Sequence, residues 1–488
     1  MIIDELKYKI LQQFGFSPTQ EQAHALEVFA EFLTDRDPHA VMILRGSAGT
    51  GKTTLSGAIV RTLKEIRQKV MLLAPTGRAA KVFSLNSGSP AYTIHRRIYR
   101  EKSFSGVVGQ FNLNDNLYTD TLFMVDEASM IANMGLGGMS FGSGCLLDDL
   151  VHFVYQGRND RLLLIGDKAQ LPPVGEEESP ALHAAMLEGY GLKVYECDLN
   201  EVLRQSEESG ILYNATMIRQ MITHDDITQL PKIHFAGYSD IKPMPGAELI
   251  EALADSYHHV GLDDTIVVTR SNKRANIFNQ GIRNMVLDRE EELSQGDILM
   301  IVKNNYYWME EERKKMKEKD NQVPSNDIPA FLANGDRAKV LKVRRRIDLY
   351  GFRFATLLLQ FPDYGNYELE ATVLLDTLTS EAPALTHEQQ EQLFHQIEED
   401  YQDVPLKADR MKAIRQDQFY NALQVKFAYA VTCHKAQGGQ WAHVYVDQGY
   451  MTDDMLTPDY IHWLYTAFTR ATEMLYLVNW PETQIETS

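Results

Sequence analysis

An α/β fold built on parallel sheets is predicted, on three observations. First, short apolar runs, VMIL (41–44), VMLL (70–73), LFMV (122–125) and LLLI (162–165), recur with helix-like stretches between them. That alternation belongs to a buried parallel sheet covered by crossover helices. Second, TIVVT (265–269), KFAYAV (426–431), HVYV (443–446) and MLYLV (474–478) form another such set, split by a long interruption. Third, inside the interruption AKVLKV (338–343), FATLLLQ (354–360) and YELEATVLL (367–375) alternate in the manner of antiparallel, half-exposed strands, so a β-rich subdomain is inserted there.

Composition bounds the function. At roughly 100 to 200 residues per domain, 488 residues hold several domains and exclude a small binding module. Apolar residues at 44% and charged residues at 24% are those of a folded chain. The net charge of −19 excludes a surface that coats polyanions as a whole, so any nucleic-acid site is local. No run of about 18 apolar residues and no signal or transit character at MIIDELKYKI are present, so a cytoplasmic protein without a membrane partner is expected. Cys145, Cys197 and Cys433 lack disulfide or zinc spacing and are expected to be buried hydrophobes.

After VMIL comes Gly46-Ser47-Ala48-Gly49-Thr50-Gly51-Lys52-Thr53-Thr54, the G-x-x-x-x-G-K-[ST] pattern, ahead of the helical stretch LSGAIVRTLKEI. Glycines let backbone N–H groups curl around phosphate oxygens, and the helix N-terminus adds its dipole. Lys52 is expected to reach the β- and γ-phosphates of ATP, and Thr53 its Mg²⁺. The strand LFMV then delivers Asp126-Glu127, with Asp126 for the metal and Glu127 to orient and deprotonate water. LLLI leads into GDKAQLPPV (166–174), where Gln170 can sense the γ-phosphate or hold the water and two prolines stiffen the turn.

GSAGTGKTT, APTGRAAK (74–81), TIH (93–95), VDEAS (125–129), GDKAQLPPV, LNEVLRQ (199–205), TCHKAQGGQ (432–440) and YTAFTRAT (465–472) stand in the order seen in superfamily 1B helicases. The chain resembles their RecD-like and Dda-like branch over nearly its whole length. The resemblance implies two RecA-like P-loop domains, ATP between them, single-stranded DNA across their top, and 5′ to 3′ translocation coupled to unwinding. It further implies domain 1A at 1–200 with a small hairpin insertion near 96–120, domain 2A at 201–300 and 425–488, and a small β-barrel, 2B, inserted at 301–424. By the same resemblance Gln22 reads adenine, Arg204 and Arg470 reach the γ-phosphate, and Gly439 borders the nucleotide. For DNA the implied contacts are Pro75, Thr76, Arg78, Thr93 and His95 on the first domain and Thr432, His434, Lys435 and Gln437 on the second.

Residue by residue, other readings stand beside these. His95 and His434 read equally as core histidines. The segment 64–102 holds nine Lys/Arg and two Glu, an electropositive island in an acidic chain. Tyr99, Phe104, Ser105-Gly106, Gly109, Phe111 and Leu113 suggest a β-hairpin; its position matches the family's duplex-splitting pin, with Phe104 and Phe111 as stacking or packing rings. Asn334-Gly335-Asp336 is a turn opening a strand with seven basic residues between Arg337 and Arg353. The run 310–319 reads as an exposed helix or loop, and 381–403, with seven acidic residues and no Lys or Arg, as a solvated helical face. The Gly-rich stretch 132–144 has no assigned role. The expected function is an ATP- and Mg²⁺-dependent DNA helicase of replication, repair or recombination, acting as a monomer on single strands and junctions. The alternatives are a P-loop ATPase or phosphotransferase unrelated to DNA, and a single-strand-binding protein that does not unwind.

Overall fold

The computed structural model describes residues 2–101, 111–134, 142–201, 208–224, 227–318 and 331–486. The chain divides into two compact units, the first made of Met1–Arg100, Asn112–Pro245 and Ala436–Ser488, the second containing Gly246–Lys435.

In chain order the first unit contributes β1 (Ala40–Gly46), β2 (Lys69–Ala74), β3 (Ala91–Thr93), β4 (Tyr99–Glu101), β5 (Phe111–Leu113), β6 (Thr121–Val125), β7 (Arg161–Gly166) and β8 (Lys193–Leu199). Six of these form one parallel sheet of order β3-β2-β6-β7-β1-β8. Strands β1, β6 and β7 are buried along their whole length, which is why their sequences run apolar rather than alternating. Leu6 and Ile10 of the helix Ile2–Phe14, Phe29 and Phe32 of Gln20–Thr34, and Leu55, Ile59 and Leu63 of Lys52–Glu65 pack on Met42, Leu44, Met124 and Leu163 to make one core. The strand β8, absent from the sequence reading, pairs with β1 from Ala40 to Gly46. It is short of apolar residues because only Cys197 and Leu199 in it are buried.

Strands β4 and β5 form a two-stranded sheet in the insertion after TIH. Phe104, the hairpin turn and the Phe111 side chain lie outside what is described.

The first unit is completed by β9 (Ile241–Met244) and two strands that return late in the chain. Before these, the second unit supplies β10 (Thr265–Thr269), β11 (Ile298–Ile301), β12 (Arg337–Leu349), β13 (Phe352–Phe361), β14 (Tyr367–Leu374), β15 (Leu423–Phe427) and β16 (Ala430–Thr432). The returning pair is β17 (Trp441–Asp447) and β18 (Ala471–Val478), with β17, β18 and β9 parallel. In the second unit β10 and β16 are parallel, and β11 through β15 close into a barrel.

Closure makes the barrel strands more buried than the half-exposed pattern predicts: Phe354, Leu357, Leu359, Phe361, Ala371 and Val373 are fully enclosed. The run 426–431, expected as one strand, is two. Asn279 causes the break by accepting from the N–H groups of Tyr429 and Ala430 (3.1 and 2.8 Å) and donating to the carbonyls of Phe427 and Ala430 (3.2 and 2.9 Å). The backbone groups released from the ladder are thereby satisfied. The charged run near 310–319 falls largely in the helix Tyr307–Glu318, and the acidic segment forms the helix His387–Asp400, capped by Thr386 and Gln389. Among the described residues no helix is long and apolar enough to cross a membrane.

Candidate nucleotide cleft

At the C-terminal edge of the first sheet, β1, β6 and β7 each deliver one segment to a cleft of about 360 Å³, the edge at which ligands bind in open α/β sheets. From β1 comes the P-loop. Gly49 and Gly51 sit at φ 77° and 80°, conformations that favour glycine. A Cβ on Gly46 would stand 2.8 Å from Thr50 Oγ1 and 3.0 Å from Leu199 Cβ. Ser47, Ala48, Gly49, Gly51, Lys52, Thr53 and Thr54 line the cleft. Lys52 Nζ donates to the carbonyls of Gly46 and Ser47, the latter at 2.9 Å. Gly46 and Thr50 stand behind this lining, as does Gln22, whose Nε2 donates to Thr50 O at 2.9 Å while its Oε1 accepts from Thr19 N–H at 3.1 Å. The glutamine thus ties the start of its own helix to the P-loop.

From β6 come Asp126 and Glu127. Asp126 Oδ1 accepts the Glu127 N–H at 2.9 Å, and Glu127 holds φ 53°. Burial and the neighbouring Glu127 raise the Asp126 pKa above the usual carboxylate range. A carboxyl held in this way gains from a cation placed beside it, and with Thr53 lining the same cleft the oxygen donor types are those Mg²⁺ takes. From β7 come Gly166, Asp167 and Gln170. Gln170 is buried and its Oε1, like Ser47 Oγ, has no hydrogen-bond partner among the described residues. Native structures rarely leave such atoms bare, and both belong to residues that line the cleft.

The opposite wall includes Ile211, Leu212, Gly438, Gln440, Thr469 and Arg470. Arg470 is buried; its Nε donates to Thr466 O at 2.9 Å and its Nη1 to Gly439 O at 3.0 Å. Gly439 is set back from the lining, and a Cβ there would meet the Trp441 ring at 2.4 Å. Arg204 lies outside the described residues. Three groups missed in the sequence are bonded to the loops that line the cleft without lining it themselves: Tyr465, whose hydroxyl meets Ala48 and Asp167; Thr466, whose Oγ1 accepts Leu171 N–H at 2.8 Å; and His462, bonded to Ala169 O. Their only sequence signal was their place in YIHWLYTAFTR, where a tyrosine reads as core.

The residues expected to meet DNA on the first unit gather beyond β2 and β3. Pro75 leaves β2; Thr76 and Thr93 cap the helices that follow these adjacent strands, accepting Ala79 N–H at 3.2 Å and Arg96 N–H at 3.3 Å. His95 follows Thr93, and burial lowers its imidazole to about 4, so it is neutral at physiological pH. Arg78 donates to Gln440 O at 2.8 Å and lies 4.8 Å over the Trp441 ring. Gln437 donates to Leu171 O at 2.8 Å. Thr432, His434 and Lys435 belong to the second unit. There burial and Lys426 bring Lys435 down to about 8, and its Nζ donates to Asn334 Oδ1 in the turn before β12.

Two family models match the chain, an AAA domain over residues 17–230 and a UvrD-like helicase C-terminal domain over 427–478. The chain is 32% identical over 157 residues to the ATP-dependent RecD2 DNA helicase of Deinococcus radiodurans, covering 32% of this chain and 18% of that protein. It is 24% identical over 302 residues to the ATP-dependent DNA helicase dda of phage T4, covering 58% of this chain and 60% of that protein. An uncharacterised protein of Methanocaldococcus jannaschii is 34% identical over 168 residues, 32% of this chain and 13% of that protein. The chain therefore spans less than two thirds of each of these relatives. Among solved structures, Pif1 helicase from Candida albicans is similar at 15% identity and a TM-score of 0.44, over 97% of both chains.

Proposed function

We propose, from the chain's membership of the superfamily 1B helicases and their RecD-like and Dda-like branch, that it is an ATP-dependent DNA helicase moving 5′ to 3′ on single-stranded DNA. The observation that carries this reading is the cleft itself, where a phosphate-binding loop, a half-buried carboxylate pair, an unsatisfied glutamine and a buried arginine converge on one space. Relatives named ATP-dependent DNA helicases supply the substrate class.

In this mechanism the P-loop amides and Lys52 bind and orient the triphosphate. Thr53 and Asp126 would hold Mg²⁺, which when bound neutralises phosphate charge. Glu127, fixed by its left-handed backbone and its N–H bond to Asp126, accepts a proton from the attacking water at its carboxylate. Gln170 Oε1 orients that water. Arg470, with Arg204 from the LNEVLRQ segment, offsets charge that develops on the γ-phosphoryl; an arginine so placed contributes about 10³ to 10⁵ in rate. Pro75, Thr76, Thr93, His95, Thr432, His434, Lys435 and Gln437 contact the DNA strand, with Arg78 and Trp441 linking the APTGRAAK helix to the TCHKAQGGQ loop. Phe104 and Phe111 on the hairpin insertion stack at the junction, where one base–aromatic contact at about 1 to 3 kcal/mol compares with about 1.4 kcal/mol for a duplex step. The protein works as a monomer in the cytoplasm.

The test is ATP hydrolysis with and without single-stranded DNA, then unwinding of duplexes carrying a 5′ or a 3′ tail. Hydrolysis stimulated by DNA and opening of only the 5′-tailed duplex are expected. Hydrolysis indifferent to DNA would leave a P-loop ATPase of another kind, and opening of 3′-tailed duplexes would reverse the polarity.

A further inference from the structure

The helix Pro458–Phe468 carries a tyrosine that the hydrolytic scheme leaves unused. Tyr465 is 1% exposed. Its hydroxyl donates to Asp167 Oδ2 at 2.6 Å and accepts the Ala48 N–H at 2.9 Å. Burial and Asp167 push the phenol well above its usual range, so it stays protonated and the direction of the donated bond is fixed. Asp167 Oδ1 in turn accepts the Ala169 N–H at 2.9 Å. One hydroxyl therefore joins the phosphate loop after β1 to the loop after β7 that carries Gln170.

Other bonds from the same helix keep that second loop in register. Thr466 Oγ1 accepts the Leu171 N–H at 2.8 Å, and His462 Nδ1 meets Ala169 O at 2.9 Å. Arg470 follows directly and holds the Thr466 carbonyl. P-loop amides exist to meet phosphate, yet the Ala48 N–H is committed to a side chain. The separation of the Ala48 amide from the Gln170 loop is thereby set by a phenol rather than by the nucleotide.

Resting on the ATP-hydrolysing reading above, we propose that Tyr465 is a positioning residue: its hydroxyl links the P-loop to the Asp167–Gln170 loop and so aligns Gln170 and Arg470 for phosphoryl transfer without contributing to ATP affinity. A side chain acting through such a link affects the transition state and not the ground state, and its loss appears in kcat and not in KM. The link also predicts non-additivity, because Tyr465 and Asp167 act as one unit.

The experiment is steady-state ATP hydrolysis by the full chain in saturating single-stranded DNA, comparing wild type, Tyr465→Phe, Asp167→Ala and the double variant, with fluorescent-ADP affinity measured beside each. Phenylalanine keeps the ring and removes both hydrogen bonds. A fall in kcat of tenfold or more for Tyr465→Phe, with KM and ADP affinity within about threefold and the double variant no worse than the poorer single, is the expected result. An unchanged kcat, a loss confined to KM, or multiplying effects in the double variant would overturn it. Should Tyr465→Phe not fold, Asp167→Ala decides alone, since it removes the acceptor of the Tyr465 hydroxyl and so breaks the same link from the other side: a kcat within threefold of wild type would refute the proposal. Wild type that hydrolyses no ATP would instead refute the function on which the proposal rests.

Discussion

The nucleotide cleft of the first unit and the barrel base of the second both bury charged and polar side chains, and they treat them in opposite ways. In the cleft Ser47 Oγ and Gln170 Oε1 have no partner among the described residues, and Asp126 sits half-buried beside a second carboxylate. At the barrel base Asp297 is fully buried but receives Arg283 at 3.1 and 3.2 Å, Arg289 at 2.8 Å, the Tyr429 hydroxyl at 2.8 Å and the Ser294 N–H at 2.7 Å. A buried polar atom left bare costs about 1 to 3 kcal/mol. Bare buried atoms occur at other places in the fold as well, but Ser47 Oγ and Gln170 Oε1 belong to residues that line one cleft, whereas every oxygen of the buried Asp297 carboxylate is bonded.

Substitutions can break this contrast. Lys52→Ala should abolish ATP turnover while leaving the barrel intact, because it removes a phosphate contact and, within the fold, only the bonds to the P-loop carbonyls of Gly46 and Ser47; a variant retaining a tenth of wild-type kcat would remove Lys52 from the mechanism. Arg470→Ala should lower DNA-stimulated turnover by about 10³ or more with far less effect on ATP affinity, and a variant that only needs more ATP would contradict that. Asp297→Ala strands two guanidinium groups and should cost about 3 to 5 kcal/mol of stability, read as a lower urea midpoint. Gln170→Ala removes an atom that has no partner, so its midpoint should stay near wild type while turnover falls; a large loss of stability there would erase the distinction between the two regions.

The smallest effect is one of pH and has opposite signs in the two units. Burial raises the Asp336 carboxyl from 3.8 to about 7, so the folded state binds more protons than the unfolded between those values. Stability present below about pH 4 is therefore lost as pH rises toward 7. Burial lowers His95 from 6.5 to about 4, so its contribution is present above pH 6.5 and lost as pH falls toward 4. Asp336→Asn should flatten the first slope and His95→Gln the second, in urea titrations from pH 4 to 8; identical slopes in variant and parent would remove the assignment.

The contrast also explains what was legible in the sequence. Phosphate binding makes demands on backbone shape that only particular residues meet, so Gly49, Gly51 and Lys52 stand out in any reading. Parallel strands buried on both faces, β1, β6 and β7, leave continuous apolar runs. Tyr465 was hidden because its neighbours in the helix Pro458–Phe468 are themselves buried, and a hydroxyl committed to Ala48 and Asp167 leaves no trace in periodicity. The break at Ala428 was equally hidden. It depends on the Asn279 side chain, 150 residues from Tyr429 in sequence, and no local pattern reports a bond of that range.

The most direct test of the central claim is ATP hydrolysis by wild type and Glu127→Gln, each with and without single-stranded DNA, alongside nucleotide binding by both. Wild type should hydrolyse ATP faster when DNA is added, whereas Glu127→Gln should bind nucleotide as tightly and hydrolyse almost none in either condition. Equal rates in the two proteins, or a wild-type rate that ignores DNA, would contradict the account.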